Sequence, residues 1–217
     1  MCAASGPGGR AGWFHDRVEE LEMDTPRGPA RVRVTRPSGA VVSVLVLGHG
    51  AGGGVDAPDL AAVHDAAVAS GVQVVLVTQP YRVAGRRAPA PAGHLDEAWI
   101  AVVRALGVRD EPLIVGGRSS GARVACRTAS GLGAAGVLAL AFPMHPPGKP
   151  DRSRANELPS DVPTLVLNGD RDAFGVPVSS GTVEVLVRPG ATHDLRKDVK
   201  GTAELAVAWM RAHGWAG

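Results

Sequence analysis

The chain is poor in cysteine: Cys2 and Cys126 are the only two in 217 residues, and neither sits in a cluster of histidines or further cysteines. That excludes a disulfide framework and a zinc-type ligand pattern, and makes a reducing, cytoplasmic setting the expectation. Long apolar runs are missing as well. No stretch approaches the ~18 residues of a membrane span, and residues 1–12 lack a charged segment followed by an apolar core, so neither membrane insertion nor export is expected. Basic charge is present but not gathered. Its 23 Lys and Arg stand against 21 acids for a net charge of +2, and they are scattered, so no nucleic-acid footprint forms.

What the sequence does have is 45% hydrophobic residues and 29 glycines, over a length that fits one compact domain with a full core. Residues 1–12, rich in Gly, Ala and Pro without periodicity, are expected to form a flexible tail, and residues 13–217 a single domain. Residues 31–36 alternate polar and apolar, which predicts a half-exposed antiparallel edge strand. The apolar, β-branched run 41–47 predicts a strand covered on both faces. Runs of that kind recur at 72–77, 113–115, 137–141, 164–167 and 183–187. Helical patterns fall between several of them, at 57–70, 96–106 and 120–130, with a last one at 198–212; Asp96 and Glu97 stand where a helix start favours acids. The expected fold is therefore α/β, a doubly wound and mostly parallel sheet of about seven strands with helices on both faces. Ligands bind such sheets at the carboxyl ends of the strands. Two long connections, 80–93 and the proline-rich 143–160, leave such ends and are expected to rim the site.

One strand end carries chemistry. Gly117-Arg118-Ser119-Ser120-Gly121 is a GxSxG stretch between an apolar run and an alanine-rich helical pattern, the signature of a nucleophile elbow, with glycines on both sides of Ser119 because the turn is crowded. In a glycine-rich chain the motif needs partners. The loop after the first buried strand, Gly48-His49-Gly50-Ala51-Gly52-Gly53-Gly54, also fits GxGxxG, but a dinucleotide reading needs an acid at the end of the next strand, and Val77-Thr78-Gln79-Pro80 has none. The other reading is an oxyanion loop, whose Ala51 N–H would act with that of Ser120. His49 then braces the loop or is simply a hydrogen-bonded histidine.

The acid and the base follow in order. Asn168-Gly169-Asp170-Arg171-Asp172 offers two carboxylates: Asp172 is the chosen acid, three residues past the turn glycine, and Asp170 the alternative, otherwise a brace of that turn. His193, on the loop between the last strand and the last helix, is the expected base. His145, at the carboxyl end of another strand, is a candidate substrate contact, as are Arg82 and Arg171. With Arg86, Arg87 and Lys149, these arginines form a basic rim that either meets an anionic substrate or is merely solvated.

The order Ser119, Asp172, His193 and the stretches HGAGGG, GGRSSGARVACR, FPMHPPGKP, NGDRDAFG and GATHDL make the chain resemble the α/β-hydrolase superfamily over about residues 30–213. Within it, the chain is similar to a small bacterial group of testis-expressed-type hydrolases near the dienelactone-hydrolase-like branch. The resemblance implies a serine hydrolase acting through an acyl-enzyme on a small-molecule ester, thioester or lactone, with no cofactor and no metal. It leaves the oligomeric state unknown and implies no nucleic-acid or membrane partner. Some relatives keep the fold as a non-catalytic, protein-binding scaffold, which is the alternative function. The chain departs from the superfamily's usual pattern twice. Only residues 173–182 join the acid to the last strand, too few for a full crossover helix, and the connection after residue 141 is too short for a cap domain, which implies an open site.

Overall fold

The computed structural model describes residues 17–217; the tail expected at residues 1–12 lies outside them. Eight strands form one sheet in the order β1-β2-β4-β3-β5-β6-β7-β8. The strands are β1 (Arg17–Met23), β2 (Ala30–Arg36), β3 (Ser43–Gly48), β4 (Val72–Thr78), β5 (Leu113–Arg118), β6 (Gly136–Leu140), β7 (Thr164–Gly169) and β8 (Val183–Arg188). From β4 to β8 all neighbours are parallel, whereas β2 is antiparallel to both β1 and β4. Helices α1 (Pro58–Ala69) and α5 (Val199–Ala212) cover one face, and α3 (Ala92–Ala105) and α4 (Ser120–Leu132) the other; α2 is one short turn at Pro80–Val83.

Strands β3 to β7 read as apolar runs because both faces are covered; residues 183–187, expected to be covered likewise, form the sheet's outer strand instead, with Glu184 and Val187 exposed. Side chains alternate between two cores: Val46, Val75 and Val115 pack under Trp99 and Val102 on one side, and Leu45, Leu47 and Ile114 meet Leu60 and Met210 on the other. From β3 the chain steps outward to β4 on one side and, through β5, to the rest of the sheet on the other. The carboxyl ends of β3 and β5 are thus the switch point, where the loops diverge and leave a crevice. Both the glycine loop and GxSxG leave the sheet there.

Three further expectations need correction. Residues 31–36 are antiparallel but not an edge: β1 pairs along their whole length and is fastened by Arg33–Glu20 and Arg36–Glu19 ion pairs. The sheet accordingly has eight strands, one more than the apolar runs suggest. Asp96 and Glu97 do not start a helix, since α3 begins at Ala92; they pair instead with Arg127 and Arg27. The connection 80–93 is not all loop, because α2 and the first turn of α3 occupy parts of it.

The short link from β7 to β8 contains no helix, as the ten residues 173–182 require, and no cap domain covers the carboxyl end of the sheet. That link also protects the outer edge. In β8, Val183 and Val185 turn their amides away from β7, and the Ser180 carbonyl and Ser179 hydroxyl accept them, so the start of this edge is already paired.

Candidate active site

Ser119 stands at the junction of β5 and α4 with φ 53° and ψ −108°, a conformation that L-residues rarely adopt. Such strain costs of order 1–3 kcal/mol and persists only where the surroundings over-determine it. Here they do. Gly117 pairs with Gly48 in register, a Cβ on Gly117 would lie 2.5 Å from the Gly48 carbonyl oxygen, and one on Gly121 would overlap the same peptide group. Close packing of glycine on glycine brings the elbow and the β3 loop together, and the Ser119 N–H is held by the Leu140 carbonyl at 2.9 Å.

The structure brings Ser119, His193 and Asp172 into one chain of hydrogen bonds. The His193 Nε2 is 2.9 Å from Ser119 Oγ, and its Nδ1 is 2.8 Å from Asp172 Oδ2. A carboxylate only accepts, so Nδ1 carries the proton and Nε2 is left to accept from the serine hydroxyl. The Asp172 side chain is fully buried, and its other oxygen accepts the Phe174 N–H at 2.8 Å. Phe174 in turn sets its ring edge-on to the imidazole, with centroids 4.4 Å apart. Asp170 does not take the acid's place: it accepts the Gly190 N–H and braces the turn.

Asn168, which no sequence motif marks, is the hub behind Asp172. Fully buried at the end of β7, it accepts the Phe142 N–H at 2.8 Å and donates to Asp172 Oδ2 at 3.2 Å. Its signal was a lone amide closing an apolar strand. Gly169 follows because a Cβ there would run into the Ala191 carbonyl of the histidine loop.

The hydrogen bonds that hold the glycine loop 49–54 come from neutral groups. His49, nearly inaccessible, donates through Nδ1 to the Gly50 carbonyl at 2.8 Å and accepts the Gln79 N–H at Nε2, 3.1 Å away. Burial is the main force pushing its pKa down and outweighs the Gly50 hydrogen bond, so the ring stays neutral. His49 is a loop brace. The Tyr81 hydroxyl donates to the Ala51 carbonyl at 2.8 Å. Among the described residues neither the Ala51 nor the Ser120 N–H donates to another group; Ser120 opens α4, where first-turn amides have no partner within the helix.

Arg118 lies between the two loops. Its Nε is 2.9 Å from Asp59 Oδ2, a carboxylate fully buried near the start of α1, and its Nη2 donates to the His193 carbonyl at 3.0 Å. Burial pushes the Asp59 carboxyl up, and the Arg118 charge is the strongest influence pulling it back. Arg118 and Arg82 line an open cavity of about 400 Å³ beside the glycine loop, together with Arg196, Asp56, Asp59 and Asp194. An apolar groove of about 380 Å³ runs along the flank of β8 between Met144, Leu158, Val176 and Pro177.

The candidate substrate contacts fare differently. His145 packs against Gly175, within the loop that follows the acid, and its Nδ1 meets the Pro146 carbonyl. Arg171 is exposed and is tied to the histidine loop only through its backbone, by an N–H bond to the Ala191 carbonyl. Cys126 is buried in α4 with its thiol pushed up to about 12, first by burial, which leaves it no nucleophile near neutral pH. Among the described residues, no group of His, Cys, Asp or Glu is arranged to hold a metal ion, and no helix is long and apolar enough to cross a membrane.

A parallel sheet with a strained serine between its central strand and the following helix, placed at the switch point, is the architecture of the α/β hydrolases. The sequence model of the alpha/beta hydrolase domain matches residues 41–213, and the chain belongs to that family. No curated protein matches the chain. Among solved structures it is similar to an alpha-beta serine hydrolase homologue from Coxiella burnetii, at 22% identity and TM-score 0.74, covering 88% of this chain and 97% of that one. A serine hydrolase without a lid from Xanthomonas campestris is similar at 20% identity and TM-score 0.72, with 92% and 95% covered. So is a dienelactone hydrolase from Anabaena variabilis, at 17% identity and TM-score 0.72, with 91% and 98% covered. At these identities the likeness concerns the fold.

Proposed function

We propose that the protein is a serine hydrolase that cleaves small esters, thioesters or lactones through an acyl-enzyme. The observation that carries this reading is the continuous Ser119–His193–Asp172 hydrogen-bond chain at a strained elbow. His193 Nε2 takes the hydroxyl proton as Ser119 Oγ bonds to the carbonyl carbon, and Asp172 stabilises the imidazolium. The Ala51 and Ser120 amides hold the resulting oxyanion. When the intermediate collapses, the alcohol or thiol leaves with the proton from His193; water then attacks the acyl-enzyme by the same route in reverse and frees the acid.

The substrate class follows from the surroundings. The site has no cap, which suits small or exposed acyl groups. Its adjoining cavity sets Arg82, Arg118 and Arg196 against Asp56, Asp59 and Asp194, so the charges balance and the substrate needs no net negative charge. A non-catalytic scaffold has no use for a buried acid, an oriented base and a strained serine together.

A panel of short-chain esters, thioesters and lactones tests the reading, with Ser119→Ala as control. Hydrolysis by the wild type should fall on the order of 10⁶-fold in the variant, as expected when the nucleophile of such a unit is removed. Equal turnover by the two proteins would remove the proposal.

A further inference from the structure

We infer that Arg118 is a positioning residue that, through one guanidinium, holds the histidine loop and the oxyanion loop in register with Ser119. This rests on the triad reading above. Arg118 is the last residue of β5 and immediately precedes the serine, so its backbone is fixed by the sheet. Its side chain then meets three separate segments. Nη2 donates to the backbone carbonyl of His193 itself at 3.0 Å, Nε lies 2.9 Å from Asp59 on the helix that follows the oxyanion loop, and Nη1 stands against Gly50 within that loop. A Cβ on Gly50 would come within 3.0 Å of Nη1, so the glycine leaves room for the cation.

The geometry explains why arginine is needed. The extended guanidinium reaches the His193 carbonyl with Nη2 while Nε stays beside the Asp59 carboxylate, whereas the point charge of a lysine ammonium would reach one of the two but not both. The His193 carbonyl belongs to the residue whose ring must stand 2.9 Å from Ser119 Oγ. Misplacing a reacting group by about 1 Å costs on the order of 10²-fold in rate. Asp59 plays the supporting part: its Oδ1 takes the Leu60 N–H, and its Oδ2 faces the guanidinium as an ion pair, with no partner in hydrogen-bonding geometry among the described residues. The carboxylate aims the fork.

Removing Arg118 alone strands a buried carboxylate and risks the fold, so the test pairs the changes. Asp59→Asn/Arg118→Met is neutral and close in volume, while Arg118→Lys keeps a cation beside Asp59 but loses the fork. Each is compared with wild type and with Asp59→Asn by thermal unfolding, by kcat and KM on p-nitrophenyl acetate, and by the rate of phosphonylation with a fluorophosphonate. The expected result is that kcat and phosphonylation rate both fall about 10- to 100-fold in the double variant and in Arg118→Lys, with KM changed by less than about threefold. Asp59→Asn, which retains the donor to His193, loses less. A folded double variant with wild-type kcat would overturn the inference while leaving the triad intact. Should the double variant not fold, wild-type kcat in Arg118→Lys would overturn it equally. A wild-type protein that the fluorophosphonate does not label would remove the triad reading and this inference with it.

Discussion

The loop after β3 and the loop after β6 both leave the carboxyl end of the sheet but are fastened by different side chains. The side-chain hydrogen bonds that fasten residues 49–54 come from buried neutral groups: the His49 ring, the Gln79 amide and the Tyr81 hydroxyl. Residues 143–160 are held by charge. Glu157, in a short 3₁₀ turn, accepts from both Arg123 and Arg127, Arg127 also pairs with Asp96, and Arg154 reaches back to the carbonyls of Pro143 and His145. The side-chain hydrogen bonds to the first loop come from neutral groups, and the one cation beside it, Arg118, stands against Gly50 with the buried Asp59 carboxylate as its counter-charge, whereas the second loop is tied by ion pairs directly.

The largest expected effect separates the two regions by packing. Gly121→Ala would push a Cβ into the Gly48 peptide group beneath the first loop, and should cost about 3 kcal/mol or more, or prevent folding. Gly148→Ala, in the other loop, meets only open space at φ 64° and should cost about 1 kcal/mol, from backbone strain alone. Urea unfolding of the two variants checks the contrast; equal losses would break it.

Next comes the ionic side. Glu157→Gln removes the charge that two arginines share and should cost about 2 kcal/mol, since the side chains are mostly buried. Burial opposes ionisation of Glu157, but the hydrogen bonds and charges of Arg123 and Arg127 outweigh it and hold the carboxyl below its ordinary value. Its contribution is therefore present above the unfolded value of roughly 4.3 and is lost as the pH falls below that. Added salt should narrow the gap between Glu157→Gln and wild type.

Tyr81→Phe, on the neutral side, should cost about 1 kcal/mol and lower kcat with little change in KM, with no response to salt. The smallest effect is that of pH on His49. Because burial lowers its folded pKa, the unfolded chain takes up a proton first as the pH drops, so stability declines below roughly pH 6.5, well before Glu157 titrates. In His49→Gln this upper part of the acid slope should disappear from the melting temperature; if it persists, the neutral brace is not its source.

Much of this architecture was legible in the sequence, for reasons visible in particular residues. Strands β3 to β7 announce themselves because burial on both faces demands apolar runs, and Ser119, Asp172 and His193 could be picked out because each follows the carboxyl end of a strand. β1 was missed because Arg17-Val-Glu-Glu-Leu-Glu-Met has no alternating apolar face: it is bound through its backbone and by ions paired with β2. Asn168 and Arg118 act across the fold, on residues distant in sequence, and no local pattern reveals such contacts. Asp96 and Glu97 do not mark a helix start, because a remote arginine asks for the same side chain as a helix dipole.

The most direct measurement of the central claim is peptide mapping of the protein after reaction with a fluorophosphonate. The account predicts a single adduct on Ser119, absent from Ser119→Ala and from His193→Ala at matched times. An adduct on the adjacent Ser120, or equal labelling of Ser119 without His193, would contradict it.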